Sequence, residues 1–244
     1  FIYAIPFAWA WFMFVLFTGD TVLPKPNMAF LIWLIIGGMT QILFTVLLIK
    51  LFTYKNFLVG IAFSKTEVLI AAILEAIVFS VVITAQFAVA ILFGIIAVIL
   101  LSVSINISSL MEIQRNLISK STFIGLTCGT TLAVSVISFR TAINNLADGD
   151  FLIRASATAA IAVILQAVSL AAYMYFCRRA ELLAVVQSWR AGLATGLFGA
   201  MATAGWFTAF AIHNAAPVRA VGQVEIILGS LITVFIFHQR ISRI

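Results

Sequence analysis

The residues with chemistry to offer stand where hydrocarbon is expected. "SKTEVLIAAILE" (64–75) places Lys65, Glu67 and Glu75 in an otherwise apolar run, and Arg140, Arg219 and Glu225 interrupt other apolar runs in the same way. A charge at the centre of a membrane-spanning helix costs about 2.5–3.5 kcal/mol on insertion scales, so a group placed there faces a partner, water or a cavity. Lys65 and Glu67 are two residues apart, so on a helix they point to different sides and each needs a partner elsewhere. Arg140, Arg219, Gln41, Gln166 and Gln223 are the polar candidates for that role. Two readings stay open. In one, these groups pair with each other and staple helices together. In the other, they line a cavity in which a carboxylate binds a proton or a cationic group and a guanidinium binds an anionic one. For the three glutamines, hydrogen bonding between helices is the plainer role. Trp206 and Trp33 lie deep enough to line such a cavity or to pack against neighbouring helices, whereas Trp189 falls at a segment edge, where aromatic residues mark the membrane interface.

Other chemistries find little support. Cys128 and Cys177 sit in apolar stretches with no partner at metal-ligand spacing, which fits packing and excludes a cysteine-based zinc site. "LADGD" (146–150) offers Asp148 and Asp150, but no second acidic cluster joins them and the chain has only two histidines. A turn capped by aspartates explains that motif. Asn214, just ahead of Pro217, reads as the cap of a helix start. No metal, cofactor or nucleic-acid partner is implied.

The elements that must position these groups follow from composition. Of 244 residues, 64% are hydrophobic and 9% charged, against roughly 25% charged in a soluble domain. That balance predicts an all-α polytopic membrane protein in contact with the lipid bilayer. Eight apolar segments stand out, at about 1–17, 29–52, 56–80, 83–104, 121–146, 151–176, 190–213 and 216–237. About 20 residues cross a hydrocarbon core of roughly 30 Å, which all but the first segment reach. If the segments alternate, one face receives Lys50, Lys55, Arg115, Lys120, Arg178, Arg179, Arg190, Arg240 and Arg243, and the other only Lys25 and Arg154. The positive-inside rule places the first face in the cytoplasm.

An internal repeat ties the buried acids together. Shifted by 158 residues, 64–84 lies over 222–242, with Glu67 on Glu225, Phe79 on Phe237 and Ile83 on Ile241. The same shift lays 1–17 over 159–175 and 29–52 over 187–210. Five helices per period invert one copy in the membrane relative to the other. Counted along continuous helices, Glu67 lies about 17 Å from the start near Asn56 and Glu225 about 14 Å from the start near Ala216, so both approach the bilayer midplane. The expected organisation is a first repeat at 1–104 lacking its first helix, a linker at 105–120, and a second repeat at 121–244 lacking its last. A chain opening on Phe1 rather than methionine agrees with a fragment of a longer one.

"IAFSKTE" (61–67), "SFRTAINNLADGD" (138–150), "IAVILQAVSL" (161–170) and above all "GWFTAFAIHNAAPVRAVGQVE" (205–225) resemble the drug/metabolite transporter superfamily. The likeness is to its ten-helix members built of two EamA domains, and it covers the chain as helices two to nine of ten. It implies a 5+5 inverted-repeat helical bundle with a central cavity, working by alternating access on a small metabolite or drug-like solute. Many members are exporters in the bacterial inner membrane. Carried onto this sequence, the candidate cavity groups are Lys65, Glu67, Arg140, Gln166, Arg219, Gln223 and Glu225, beside Gln41 and Trp206. The chain departs from the family pattern where members carry an acid after a small residue, reading Ser80-Val81 and His238-Gln239. The resemblance implies no enzymatic activity, and it leaves open proton coupling, exchange and facilitated diffusion. A membrane-embedded enzyme acting on lipid-linked substrates, or an ion channel, is the alternative.

Overall fold

The computed structural model describes residues 1–19, 22–53, 65–79 and 120–224, with single positions at 89 and 235. Every regular element among them is helical. A short 3-10 turn at Ile2–Ala4 leads into α1 (Ile5–Thr18), followed by α2 (Met28–Leu51), α3 (Glu67–Phe79), α4 (Lys120–Asn145), α5 (Phe151–Cys177), α6 (Arg179–Gln187), α7 (Trp189–Ile212) and α8 (Ala215–Gly222). The expected segments 29–52, 121–146, 151–176 and 190–213 therefore match α2, α4, α5 and α7 to about a residue at each end. These four are long and apolar enough to cross a membrane. At 1.5 Å per residue, even the shortest exceeds a hydrocarbon core of about 30 Å. Exposed apolar side chains run the length of α2, among them Ile32, Ile35, Met39, Leu43 and Val46. Such a surface suits lipid and not water, and the chain is an all-helical membrane protein.

Two expected segments take a different form. The segment 56–80 is not one helix throughout. Lys65 and Thr66 form a turn, and α3 begins at Glu67. The segment 216–237 yields α8, which ends at Gly222 and gives way to a turn at Gln223 and Val224. The segment 83–104 apart from position 89, the linker before Lys120, and Glu225 lie outside the described residues.

The chain divides into two compact units, one formed by Phe1–Leu43 with Val134–His213 and the other by Phe44–Ala133 with Asn214–Ile244. In the first, α5 packs on α1 and α7, around a small-residue core that includes Ala4, Ala8, Val163 and Ala200. Small residues are what helices need to approach closely where lipid supplies no hydrophobic drive. Glycines extend this. Gly192 and Gly196, four apart on α7, form a groove for Tyr3, whose hydroxyl donates to the Val185 carbonyl at 2.8 Å. A Cβ at Gly196 would overlap the Tyr3 backbone, while one at Gly199 meets nothing within 4 Å. Gly196→Ala should therefore destabilise by about 1–3 kcal/mol through overpacking, and Gly199→Ala should be neutral or slightly stabilising. Thermal unfolding of the two variants in detergent tests the contrast. On α2, a Cβ at Gly37 would lie 3.0 Å from the Phe139 ring, and one at Gly38 would lie 3.1 Å from Leu165, so "IIGGM" permits close approach as its small residues suggest.

The "LADGD" motif is a turn. Asp148 and Gly149 have φ of 65° and 79°, the left-handed region that Asp tolerates and Gly favours. Asp150 is the N-cap of α5 and accepts from the Ile153 N–H at 2.9 Å. Lys25 donates its backbone N–H to the Ala147 carbonyl at 3.1 Å, and its ammonium lies 3.7 Å from Asp148.

Candidate functional site

The site belongs to the second unit and is built from α3 and α8. The buried residues of α3 are Glu67, Ala71, Ala72 and Glu75. Their spacing of i, i+4, i+5 and i+8 makes a single stripe on a helix. α8 packs against α3 and buries Ala215 and Ala216. Alanines on both sides keep the backbones close. The two carboxylates bracket the alanines about 12 Å apart along the helix axis. That separation equals the length of α8, so each acid reaches one end of it.

Glu75 takes the start of α8. The Ala215 N–H donates to its Oε1 at 2.5 Å and the Ala216 N–H to its Oε2 at 3.0 Å, all of them buried. The third helical residue is Pro217, which has no N–H to satisfy, and the Val218 N–H turns back to the Asn214 carbonyl at 3.4 Å. Every donor of the first turn is accounted for, as burial demands. Asn214 does occupy the N-cap position, but its side chain makes no capping hydrogen bond. The expected local cap is replaced by a carboxylate from 140 residues away.

Glu67 takes the other end. Arg219, in the last turn of α8, donates Nε to Glu67 Oε1 at 3.1 Å and Nη2 to the same oxygen. Gln223, in the turn that follows, donates Nε2 to that oxygen at 3.3 Å and to the Arg219 carbonyl at 3.4 Å. One carboxylate oxygen thus receives three N–H groups. The pair is withdrawn from solvent, with side-chain exposures of 2% for Glu67 and 11% for Arg219. The helix ends favour the same arrangement, since an acid opens α3 and a base closes α8. Because Glu67 meets the end of α8 and Glu75 its start, the two helices run antiparallel. Lys65 is half-buried in the turn before α3. Cys128 on α4 is buried, with its thiol 3.8 Å from the Phe44 carbonyl.

The structure therefore brings together three of the residues singled out by sequence: Glu67, Arg219 and Gln223. The continuous helix expected to carry Glu67 at its middle is corrected, because the acid stands in the first turn of α3. Arg140, Gln41, Gln166 and Trp206 belong to the first unit. Arg140 Nε donates at 3.2 Å to the carbonyl of His213, the C-cap of α7, which places a cation at a helix C-terminus. Gln41 lies 2.8 Å from the Ser135 hydroxyl, itself 2.9 Å from the Gly37 carbonyl, a polar link between α2 and α4. Gln166 is buried on α5 beside Gly38. Trp206 stacks on Phe210 along α7, with ring centroids 5.8 Å apart. Sequence reasoning passed over Glu75. The clue was an acid two turns beyond Glu67 on the same stripe. Comparison with family models, curated proteins and solved structures finds no match to this chain.

Proposed function

We propose that this chain is a secondary-active carrier of the ten-helix drug/metabolite transporter type. In this reading it is a 5+5 inverted repeat, represented here by helices two to nine, that exports a small metabolite or drug-like solute across a bacterial inner membrane by alternating access. The carrying observation is the cluster of the buried Glu67 with the partly buried Arg219 and Gln223 at the ends of two short helices. A buried ion pair is weak as a stabilising device, because desolvation offsets most of the attraction. An ionisable group inside a membrane protein is by default a candidate for a solute or ion path. Helix ends at membrane depth are also where carriers present their binding groups.

The chemistry of the cluster suits exchange. An incoming carboxylate or phosphate competes with Glu67 for the guanidinium of Arg219. A solute ammonium or a proton competes with Arg219 for Glu67. Gln223 keeps a neutral donor on the Glu67 oxygen while the pair is open. Glu225, two residues further on, enters this reading through the repeat alone. The engagement of Asp148 and Asp150 in a turn supplies no support for a membrane enzyme.

The test is a thermal-stability screen of the purified protein against amino acids, nucleosides, sugars, sugar phosphates and amphipathic cations. A solute at 100 times its dissociation constant adds about 2.7 kcal/mol, a shift readily read. The expected result is one solute class that stabilises the wild type, does not stabilise Glu67→Gln, and crosses proteoliposome membranes only with the wild-type protein. A solute that stabilises both proteins equally, or flux that is unchanged in Glu67→Gln and independent of pH, overturns the proposal.

A further inference from the structure

The connection between α5 and α7 carries a surface that the carrier reading does not use. α6 buries none of its residues, although six of its nine are aliphatic and two of them, Leu183 and Val186, are largely exposed. Arg179, Leu183 and Val186 are spaced i, i+4 and i+7, so they share one face. Leu182 and Val185, on a neighbouring side, are partly buried, and the hydroxyl of Tyr3 ties the helix to the protein by donating to the Val185 carbonyl. An exposed helix with apolar residues and a base on one face is the form taken by helices that lie in a membrane interface.

The flanks fix its depth and its partner. α6 starts two residues after the membrane-spanning α5 ends at Cys177, and it stops two residues before α7 begins at Trp189. Both of its ends are therefore pinned at the membrane boundary. Aromatic side chains mark that boundary, and each holds an arginine. The Arg179 guanidinium lies 5.2 Å from the ring centre of Tyr175, and that of Arg190 lies 5.4 Å from the ring centre of Trp189. Arg178 is engaged by Glu181 at 2.7 Å, whereas among the described residues Arg179 and Arg190 form no ion pair. Two cations at opposite ends of α6, a helix about 13 Å long, match separate headgroups of a surface better than one small anion. The alternation of apolar segments in the sequence assigns this end of α5 and α7 to the side expected to carry the excess of basic residues, the cytoplasmic side by the charge bias, where anionic lipid is found.

We infer that α6 is an interfacial helix that seats anionic phospholipid, with Arg179 and Arg190 on the headgroup phosphates and Leu183 and Val186 in the acyl boundary. The surface does not depend on the transport reading and stands without it.

The protein is incorporated into nanodiscs of phosphatidylcholine alone or with one part in three phosphatidylglycerol, and the lipids retained after extraction are weighed by native mass spectrometry. The wild type should retain phosphatidylglycerol in excess of its share in the disc, by roughly fivefold for each arginine. It should also unfold at a higher temperature in the anionic discs, with the difference shrinking as salt is raised. The double variant Arg179→Gln/Arg190→Gln should retain the two lipids in disc proportion and lose the thermal difference. Arg179→Lys/Arg190→Lys, which keeps the charge, should restore most of both. Equal lipid preference in the wild type and the glutamine variant overturns the inference. So does stabilisation of the wild type by inorganic phosphate to the same extent in neutral discs, which would mark a site for a free anion.

Discussion

Glu75→Ala should be the most damaging single substitution among the described residues, lowering stability by about 3–6 kcal/mol. The figure follows from what would be left behind. The side chain accepts two backbone N–H groups that are both buried. A hydrogen bond to a charged group contributes about 1.5–3 kcal/mol, and an orphaned buried donor carries its full desolvation penalty. Both donors are buried in the protein, where an unpaired N–H is costly. In a protein of this size each kcal/mol moves the unfolding midpoint by roughly 2–4 °C, so the midpoint should fall by about 10 °C or more. Glu75→Gln keeps the shape and one acceptor oxygen, and should fall between the variant and the wild type. The informative control is Asn214→Ala. A side-chain N-cap is worth about 1 kcal/mol, but Asn214 makes no such bond. Its loss leaves Ala215 and Ala216 still held by Glu75. Intrinsic-fluorescence melts in detergent rank the three variants. Asn214→Ala proving as harmful as Glu75→Ala would refute the assignment of the cap.

That control also marks how far the sequence could be read. The long spans were legible because length and composition alone determine them. Runs of apolar residues longer than 20 have no other stable form in this composition. The LADGD turn was legible as well, because Asp and Gly carry their turn preferences locally. The break before Glu67 was not. "SKTE" has no glycine or proline to announce it, and a helix start without a breaker looks like helix interior. The partner of Glu67 was narrowed but not chosen. Arg219 stood among five polar candidates, and the spacing of residues within one helix says nothing about which second helix lies opposite. Glu75 was passed over for a different reason. A shift of 158 residues lays it over Thr233, so the repeat offers no acidic counterpart, yet a helix cap is an asymmetric need. Asn214 was favoured by local propensity, and a tertiary contact from α3 overrode it.

Glu67 and Arg219 allow stapling and transport to be separated by a double-mutant cycle. Arg219→Gln leaves the Glu67 carboxylate buried without its counter-charge, and Glu67→Gln leaves the guanidinium so. Breaking one side of a buried pair in this way costs about 3–5 kcal/mol. Removing both charges together removes the reason for the penalty. Glu67→Gln/Arg219→Gln should therefore regain most of the loss, ending within about 1–2 kcal/mol of the wild type, since buried pairs replaced whole are often neutral in stability. Gln223 helps the double variant, because its amide can still donate to the oxygen of a glutamine at position 67. The coupling free energy should then be about 4–9 kcal/mol, above the 0.5–3 kcal/mol usual for contacting residues, because each single variant strands a charge of the pair. Flux of the stabilising solute should follow another pattern. Both single variants and the stable double variant should lose it alike, because a neutral amide pair presents neither a cation to an anionic solute nor a site for a proton. If the double variant regains stability and transports at the wild-type rate, the pair is a staple and the solute binds elsewhere. If it regains stability and stays silent, the burial of these two charges is explained by what they bind, since the fold stands without them.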